Sequence, residues 1–316
     1  IRGWAARLDV GTIVKRSGRV YPKVLKAAPL LRRWLSRLRR QGVRFAMNHR
    51  LVGITPGRPH ELSFATPEGP GTIASDAVIL ALGGGSWPQT GSDGSWVSLF
   101  ESLGIGTSPL TPANCGWEVA WPAAILDEHE GEPLKNLAIR AGGQEAVGEL
   151  IITRYGLEGG PLYELGPALR AMPEPRITID FKPTFTAERL VAKMESARRN
   201  FLHEARLRWK LPPAAGRIID HYHGPIESAA QLAPLAKGCA LPLTGPRPLA
   251  EAISSAGGVR WAELDPGLML HKFPGLFLAG EMIDWEAPTG GYLMQGCFAT
   301  GSLAANSAVK WLEAKD

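Results

Sequence analysis

Cysteine is scarce in this 316-residue sequence: Cys115, Cys239 and Cys297 are far apart and odd in number. They offer neither a disulfide framework nor a C-x-x-C redox or zinc pair, and they suit a reducing cytoplasm. Long apolar runs are lacking too. None approaches the 18 residues of a membrane span, and no charged n-region followed by an apolar h-region marks a secretory signal. Neither a G-x-S-x-G elbow nor a P-loop occurs, which leaves hydrolase and nucleotidase chemistry without support. Acid is almost absent from one end: the first fifty residues hold fourteen Lys/Arg against the single acid Asp9, so that segment carries +13 while the other 266 residues carry −8. Such asymmetry raises nucleic acid, a membrane surface or a phosphate-bearing ligand as partners.

What is present is globular: 45% hydrophobic and 21% charged residues leave no room for wholesale disorder. Pro29 opens a helix to about Arg40, with Leu30, Leu31, Trp34, Leu35 and Leu38 on one face, arginines elsewhere and Gly42 as its stop. Val43 to Ile54 reads as extended, and Leu62 to Phe64 with Thr72 to Ile73 as a hairpin around Pro67 to Gly71. Ala77 to Leu82 is a continuous apolar run before Gly83-Gly84-Gly85, the pattern of a strand buried on both faces of a parallel sheet. From Leu110 short alternating pieces at 117–121, 137–141, 149–153 and 177–182 give an antiparallel β unit. Helical stretches are expected at 186–198, 201–211, 215–222 and 227–237. The α/β texture then returns, with a short strand at Leu276 to Ala279 and a long Gly/Ala-rich helix from Gly290 to about Leu312.

The strongest chemical signal lies in this last part. A buried strand delivers Gly280 and the acid Glu281 at its C-terminal end, the edge where ligands of open α/β sheets bind. A carboxylate there accepts hydrogen bonds from ligand hydroxyls, and a residue without Cβ lets a ligand come close. Gly290-Gly291 then opens a helix whose unpaired N–H groups and dipole suit a pyrophosphate or an electron-rich ring oxygen. The bland reading is an ordinary βα turn with glycines chosen for tight packing. The second glycine-terminated strand, at 77–85, weighs against it. Other groups take bland readings: His221-Tyr-His223 has no third ligand at a recognisable spacing, so no metal site is assigned, and Cys297 is expected to be a small packed thiol.

VILALGGGSWPQTGSDG, RYGLEGGPLYELGPALR, SSAGGV and FPGLFLAGEMIDWEAPTGGYLMQGCFATG, with Arg19-Val-Tyr-Pro22 and Lys26-Ala-Ala-Pro29, occur in one order along nearly the whole chain. Together they resemble the BaiN-like family of bacterial FAD-dependent oxidoreductases, also described as aminoacetone-oxidase-like flavoproteins. The resemblance implies an α/β fold: a split FAD domain of the two-dinucleotide-binding type with an inserted β-barrel-like and helical subdomain. The first part would be 1–106, the β-rich insertion 107–183 and 239–257, the helical subdomain 184–238, and the C-terminal part of the FAD domain 258–316. It further implies that Gly280 and Glu281 serve the ribityl and pyrophosphate region, that Gly290, Gly291, Tyr292 and Leu293 lie by the flavin end, that Gly83 and Gly84 border the cofactor, and that Leu51 runs past the adenine.

The family's opening strand, G-x-G-x-x-G turn and following acid have no counterpart here, since Gly104-Ile-Gly106 is followed by Ser108-Pro109. The expectation is that this first βαβ unit lies upstream of Ile1, in a chain that is truncated. The expected function is oxidation or reduction of a small-molecule substrate by FAD, with NAD(P)H or O2 as redox partner. Tyr21, Lys26, Arg154, Tyr155 and Tyr292 are candidates to assist, and no catalytic residue is assigned. The rival is a flavin-free scaffold, or an RNA- or membrane-surface-binding protein using the basic helix. Without interleaved aromatics or a known module, neither nucleic acid nor membrane is the expected partner. A helix packed on the sheet with a solvated basic face is expected instead.

Overall fold

The computed structural model describes residues 1–314, and the chain divides into two compact units, Ile1–Val78 and Ile79–Asp316. In the first, the helix Arg2–Ala6 precedes an antiparallel pair, Thr12–Val14 with Val20–Pro22. The helix Ala28–Arg40 forms as expected, with Pro29 in its first turn and Gly42 at φ +86° just past its end. None of its residues is buried. Its apolar side, through Leu30 and Trp34, meets a small cluster of Ala5, Leu8 and Val10, with Trp4 and Trp34 edge to face at 5.2 Å. The expected seat on a sheet is therefore replaced by the N-terminal segment.

The strand expected from Val43 begins only at Arg50, and 43–49 is irregular. Arg50–Thr55, His60–Thr66 and Gly69–Ser75 form a three-stranded antiparallel sheet with His60–Thr66 in the middle. The hairpin turn is tighter than expected, since Gly69 to Gly71 already belong to the third strand.

In the second unit, seven antiparallel strands make one sheet in the order Cys239–Pro242, Arg176–Asp180, Pro133–Ala141, Gln144–Thr153, Gly156–Glu158, Trp117–Glu118, Gly245–Pro246. The two outermost strands are joined by Leu243 and Thr244 alone. So short a link brings the two edges of the sheet close together, which gives the sheet its barrel-like curl.

Alternation builds its core: Leu137, Ile139, Ala146, Leu150, Ile152, Ile177 and Ile179 face inward, and helices cover them. Thr186 Oγ1 accepts from Arg189 N at 3.3 Å to start Ala187–Lys193, and Ser228 Oγ accepts from Gln231 N at 3.1 Å to start Ala229–Lys237. The first of these helices stops at Lys193, five residues earlier than the pattern at 186–198 suggests.

Among the elements that escaped the sequence reading, two bear on the site. The helix Gly160–Arg170 packs on Gln144–Thr153. The strand Ser254–Val259 pairs antiparallel with Thr107–Ala113, with a register shift between Ala256 and Gly258.

The apolar run before the glycines is shorter and wetter than expected. The strand is Val78–Leu80, and although Val78 and Leu80 are buried, Ile79 is 42% exposed. The physical reason is that only one face of this strand is covered, so the side chain that alternates to the other face meets solvent. Leu276–Leu278 is buried throughout, and Ala279 N donates to Leu80 O at 3.0 Å. The chain ends in the 22-residue helix Tyr292–Glu313.

Candidate functional site

The glycine-ended strand from Leu80 and the strand Leu276–Leu278 deliver their C-terminal turns to one place. Gly84 is buried, and a Cβ on it would lie 2.8 Å from Ser255 Cβ and 2.9 Å from the Glu281 carboxyl carbon. Only glycine allows that approach. Ser255, itself fully buried, accepts from Gly85 N at 2.8 Å and Ser86 N at 3.2 Å through Oγ. Its own N–H donates to Glu281 Oε1 at 2.8 Å. Gly83 O accepts from Trp96 Nε1 at 2.9 Å. The close packing that demands Gly83 and Gly84 is thus supplied by Ser255, Glu281 and neighbours within the chain.

Gly280, at φ +77°, turns the strand end into a left-handed conformation. Its N–H donates to Thr300 Oγ1 at 2.9 Å, its carbonyl accepts from Trp285 Nε1 at 3.1 Å, and the Trp285 ring lies against Gly296. A Cβ at Gly280 would stand 3.5 Å from Cys297 Sγ. The strand end is thereby stapled to the second and third turns of the long helix, with Cys297 one turn and Thr300 two turns from Leu293 on the same side. Burial and the Glu281 charge push the Cys297 thiol upward, so it stays neutral, as expected for a packing residue.

The residues between strand and helix are clamped to the rest of the second unit. Asp284 Oδ2 accepts from Ser108 Oγ at 2.6 Å. Arg170 grips Glu286 with two contacts of 2.6 Å and donates to Pro112 O at 3.0 Å. Asn114 Nδ2 donates to Ser254 Oγ at 2.7 Å and Ala287 O at 2.8 Å.

Beyond this clamp, Gly290 and Gly291 are exposed, both at positive φ (+112° and +94°), and Gly291 is the N-cap of the helix with no side-chain cap. A Cβ at Gly291 would meet nothing within 4 Å. Gln295 N donates to Gly291 O at 3.0 Å, leaving the amides of Tyr292, Leu293 and Met294 as the unpaired first-turn donors of a long helix.

The structure therefore brings Gly83, Gly84, Gly280 and Glu281 together, with Gly290 to Leu293 on the adjoining helix start. Leu51 belongs to the first unit, where it pairs with Phe64. Tyr21 belongs to the short strand Val20–Pro22 of that unit. Arg154 is tied to Glu130 at 2.6 Å, and the Arg247 guanidinium sits 4.3 Å over the Tyr155 ring. Burial, with Glu158 second, holds the Tyr155 phenol above its ordinary range.

Ser255, Asn114, Thr300 and Trp285 are the residues that sequence reasoning left without a role. Ser255 was signalled only by the S-S-A-G-G-V run. His223 Nε2 lies 3.5 Å from Cys239 Sγ. Among the described residues no group of three or more His, Cys, Asp and Glu could hold a metal, and no helix is long and apolar enough to cross a membrane.

Residues 1–307 match the HI0933-like protein Rossmann domain, and the chain belongs to that family. The 3-dehydro-bile acid delta(4,6)-reductase of Clostridium scindens is 28% identical, over 93% of this chain and 76% of its own length. Two solved structures resemble the chain at lower identity. Mycobacterium smegmatis Sdh1 in complex with UQ1 matches at 16% identity and a TM-score of 0.41, over 99% of this chain and 54% of its own. The 3-ketosteroid delta1-dehydrogenase of Sterolibacterium denitrificans, in complex with 1,4-androstadiene-3,17-dione, matches at 14% identity and 0.43, over 90% of this chain and 62% of its own. The chain thus spans about half the length of the first and under two thirds of the second.

Proposed function

We propose that this member of the HI0933-like Rossmann-domain family is a FAD-dependent oxidoreductase acting on a small-molecule substrate, with NAD(P)H or O2 as its redox partner. The observation that carries the reading is the juxtaposition of Gly280 and Glu281, at a buried strand's end, with an uncapped helix start at Gly291. The reductase from Clostridium scindens supports the reaction class.

Three features fit a flavin dinucleotide. The unpaired amides of Tyr292, Leu293 and Met294 offer donors and the positive end of a helix dipole to an electron-rich oxygen. Gly291 presents backbone with no side chain in front of it. Glu281 is held rigid by Ser255 N and stands beside Gly280, suited to accept from ligand hydroxyls. When bound, FAD would supply the hydride- and electron-transfer chemistry.

The chain's residues would bind and orient it. Gly280, Glu281 and the helix start hold the cofactor; Arg170, Ser108 and Asn114 fix the intervening loop so that this start does not drift. That Gly83 and Gly84 border the cofactor, that the segment around Leu51 runs past its adenine, and that the domains divide at 106/107, 183/184, 238/239 and 257/258 belong to the same proposal. Titrating FAD into the purified chain tests it: Glu281→Gln should weaken uptake by about tenfold, the worth of one charge-assisted hydrogen bond. Uptake indifferent to Glu281 would remove the assigned role.

A further inference from the structure

The basic excess of the first fifty residues is not spread evenly over the surface. An open cleft of about 580 Å3 in the first unit is lined by Arg7, Arg33, Arg37 and Arg40, with Leu8, Asp9, Ser36 and Gln41 between them. That volume lies within the range of about 300–1,000 Å3 usual for small-molecule sites. Arg33, Arg37 and Arg40 recur at helical spacing on one side of Ala28–Arg40, and Arg7 joins them from the turn after Arg2–Ala6.

The dipole at the helix C-terminus accounts for cations in its last turn. It does not account for Arg33 in mid-helix, nor for a fourth guanidinium brought in from another segment. Two of the forks are anchored: Arg33 Nη1 donates to Leu8 O at 3.2 Å and also to Asp9 O, and Arg37 Nη1 donates to Arg7 O at 3.1 Å. Those bonds use neutral carbonyls, so they orient the planar groups without neutralising them. Among the described residues no acid forms an ion pair with Arg7, Arg33, Arg37 or Arg40. Four guanidinium charges against the single carboxylate of Asp9 leave the concavity with a positive excess, and an anion in it offsets the repulsion among them.

We infer that this cleft is a binding site for a small phosphate-bearing molecule with two adjacent phosphates, the pyrophosphate class. Arginine forks match phosphate oxygens bidentately in a way that lysines do not, and a concave site favours a small ligand over a flat polyanion. The inference does not rest on the flavin reading.

The test is isothermal titration of inorganic pyrophosphate, and separately ADP and adenosine, into the full chain with FAD in excess. One saturable site for pyrophosphate and ADP, and none for adenosine, is expected. Arg37→Gln with Arg40→Gln should weaken it by at least about tenfold, while the charge-matched pair Arg32→Gln with Arg44→Gln changes it less than about twofold. Should the first pair fail to fold, Arg40→Gln alone should still weaken binding by about threefold. Equal weakening by both pairs, adenosine binding as well as ADP, or binding confined to RNA or anionic vesicles would overturn the assignment. Flavin absorbance, read in the same samples, reports separately on the proposed cofactor site.

Discussion

The sheet and helices between Trp117 and Leu243 differ sharply from the segment Ile1–Gln41. In the former, Leu134, Leu137, Ile139, Leu150 and Ile152 are fully buried in one continuous core. In the latter, a 13-residue helix buries nothing and leans on three residues. The former is held by apolar area, at roughly 25 cal/mol per Å2 removed from water, and needs no partner to be folded. The latter combines little burial with concentrated charge, a balance in which a bound anion has most to add. Stability is thus concentrated away from the basic end, whose distinguishing feature is chemical.

The largest effect should come from cutting the core. Leu150→Ala is expected to cost about 2–5 kcal/mol in urea unfolding, whereas Leu31→Ala, on a half-exposed side chain, should stay within about 0.5 kcal/mol. Similar costs at the two positions would erase the contrast. Next in size, Asp180→Ala removes the carboxylate that meets Lys237 at 2.5 Å and caps Lys182 N at 2.8 Å. It should cost about 2–3 kcal/mol by leaving a mostly buried ammonium without its counter-charge, held by the Lys182 carbonyl alone, with Asp180→Asn recovering part of the loss.

The pH response sharpens the same contrast. Burial pushes the Cys239 thiol up to about 12, so the folded state keeps the proton while the unfolded chain releases it near pH 8.5–9. The contribution is complete below that range and declines as pH rises towards 12, by up to about 1.4 kcal/mol per unit. Cys239→Ala should flatten this decline, and an unchanged slope would assign it to other groups. The smallest effect belongs to the basic helix. Without an anionic ligand, Arg40→Gln should change stability at low salt by less than about 0.5 kcal/mol, because relief of Arg37 and loss of the interaction with the helix dipole oppose each other, and added salt should shrink the change further.

Elements with a single dominant signal were legible in the sequence. Pro29, the apolar spacing and Gly42 mark one helix, Thr186 starts another, and the alternation at 137–141 marks a strand. The helix Gly160–Arg170 was not, because Gly159, Gly160, Pro161 and Pro167 read as breakers. Pro161 in fact occupies the first turn, where no amide hydrogen is needed, and tertiary packing overrides the rest. The strand Ser254–Val259 was hidden by Gly257 and Gly258, which produce its register shift.

At the site, the chain showed Gly280, Glu281 and Gly291 through local pattern. The Ser255 bridge between Gly85 and Glu281 joins residues 170 and 26 positions apart, which no local pattern encodes. Asp284, Trp285 and Glu286, to which the local pattern gave no role, are fixed in clamping contacts in the fold.

The most direct test of the account is the flavin spectrum of the purified chain, alone and with added FAD, against Gly291→Val. The account predicts stoichiometric uptake of FAD, a spectrum bleached by reductant, and loss of uptake in the variant, whose β-branched side chain is strained at φ +94° and stands before the helix amides. A colourless protein that takes up no FAD, or a variant that binds it as well as the parent, would contradict it.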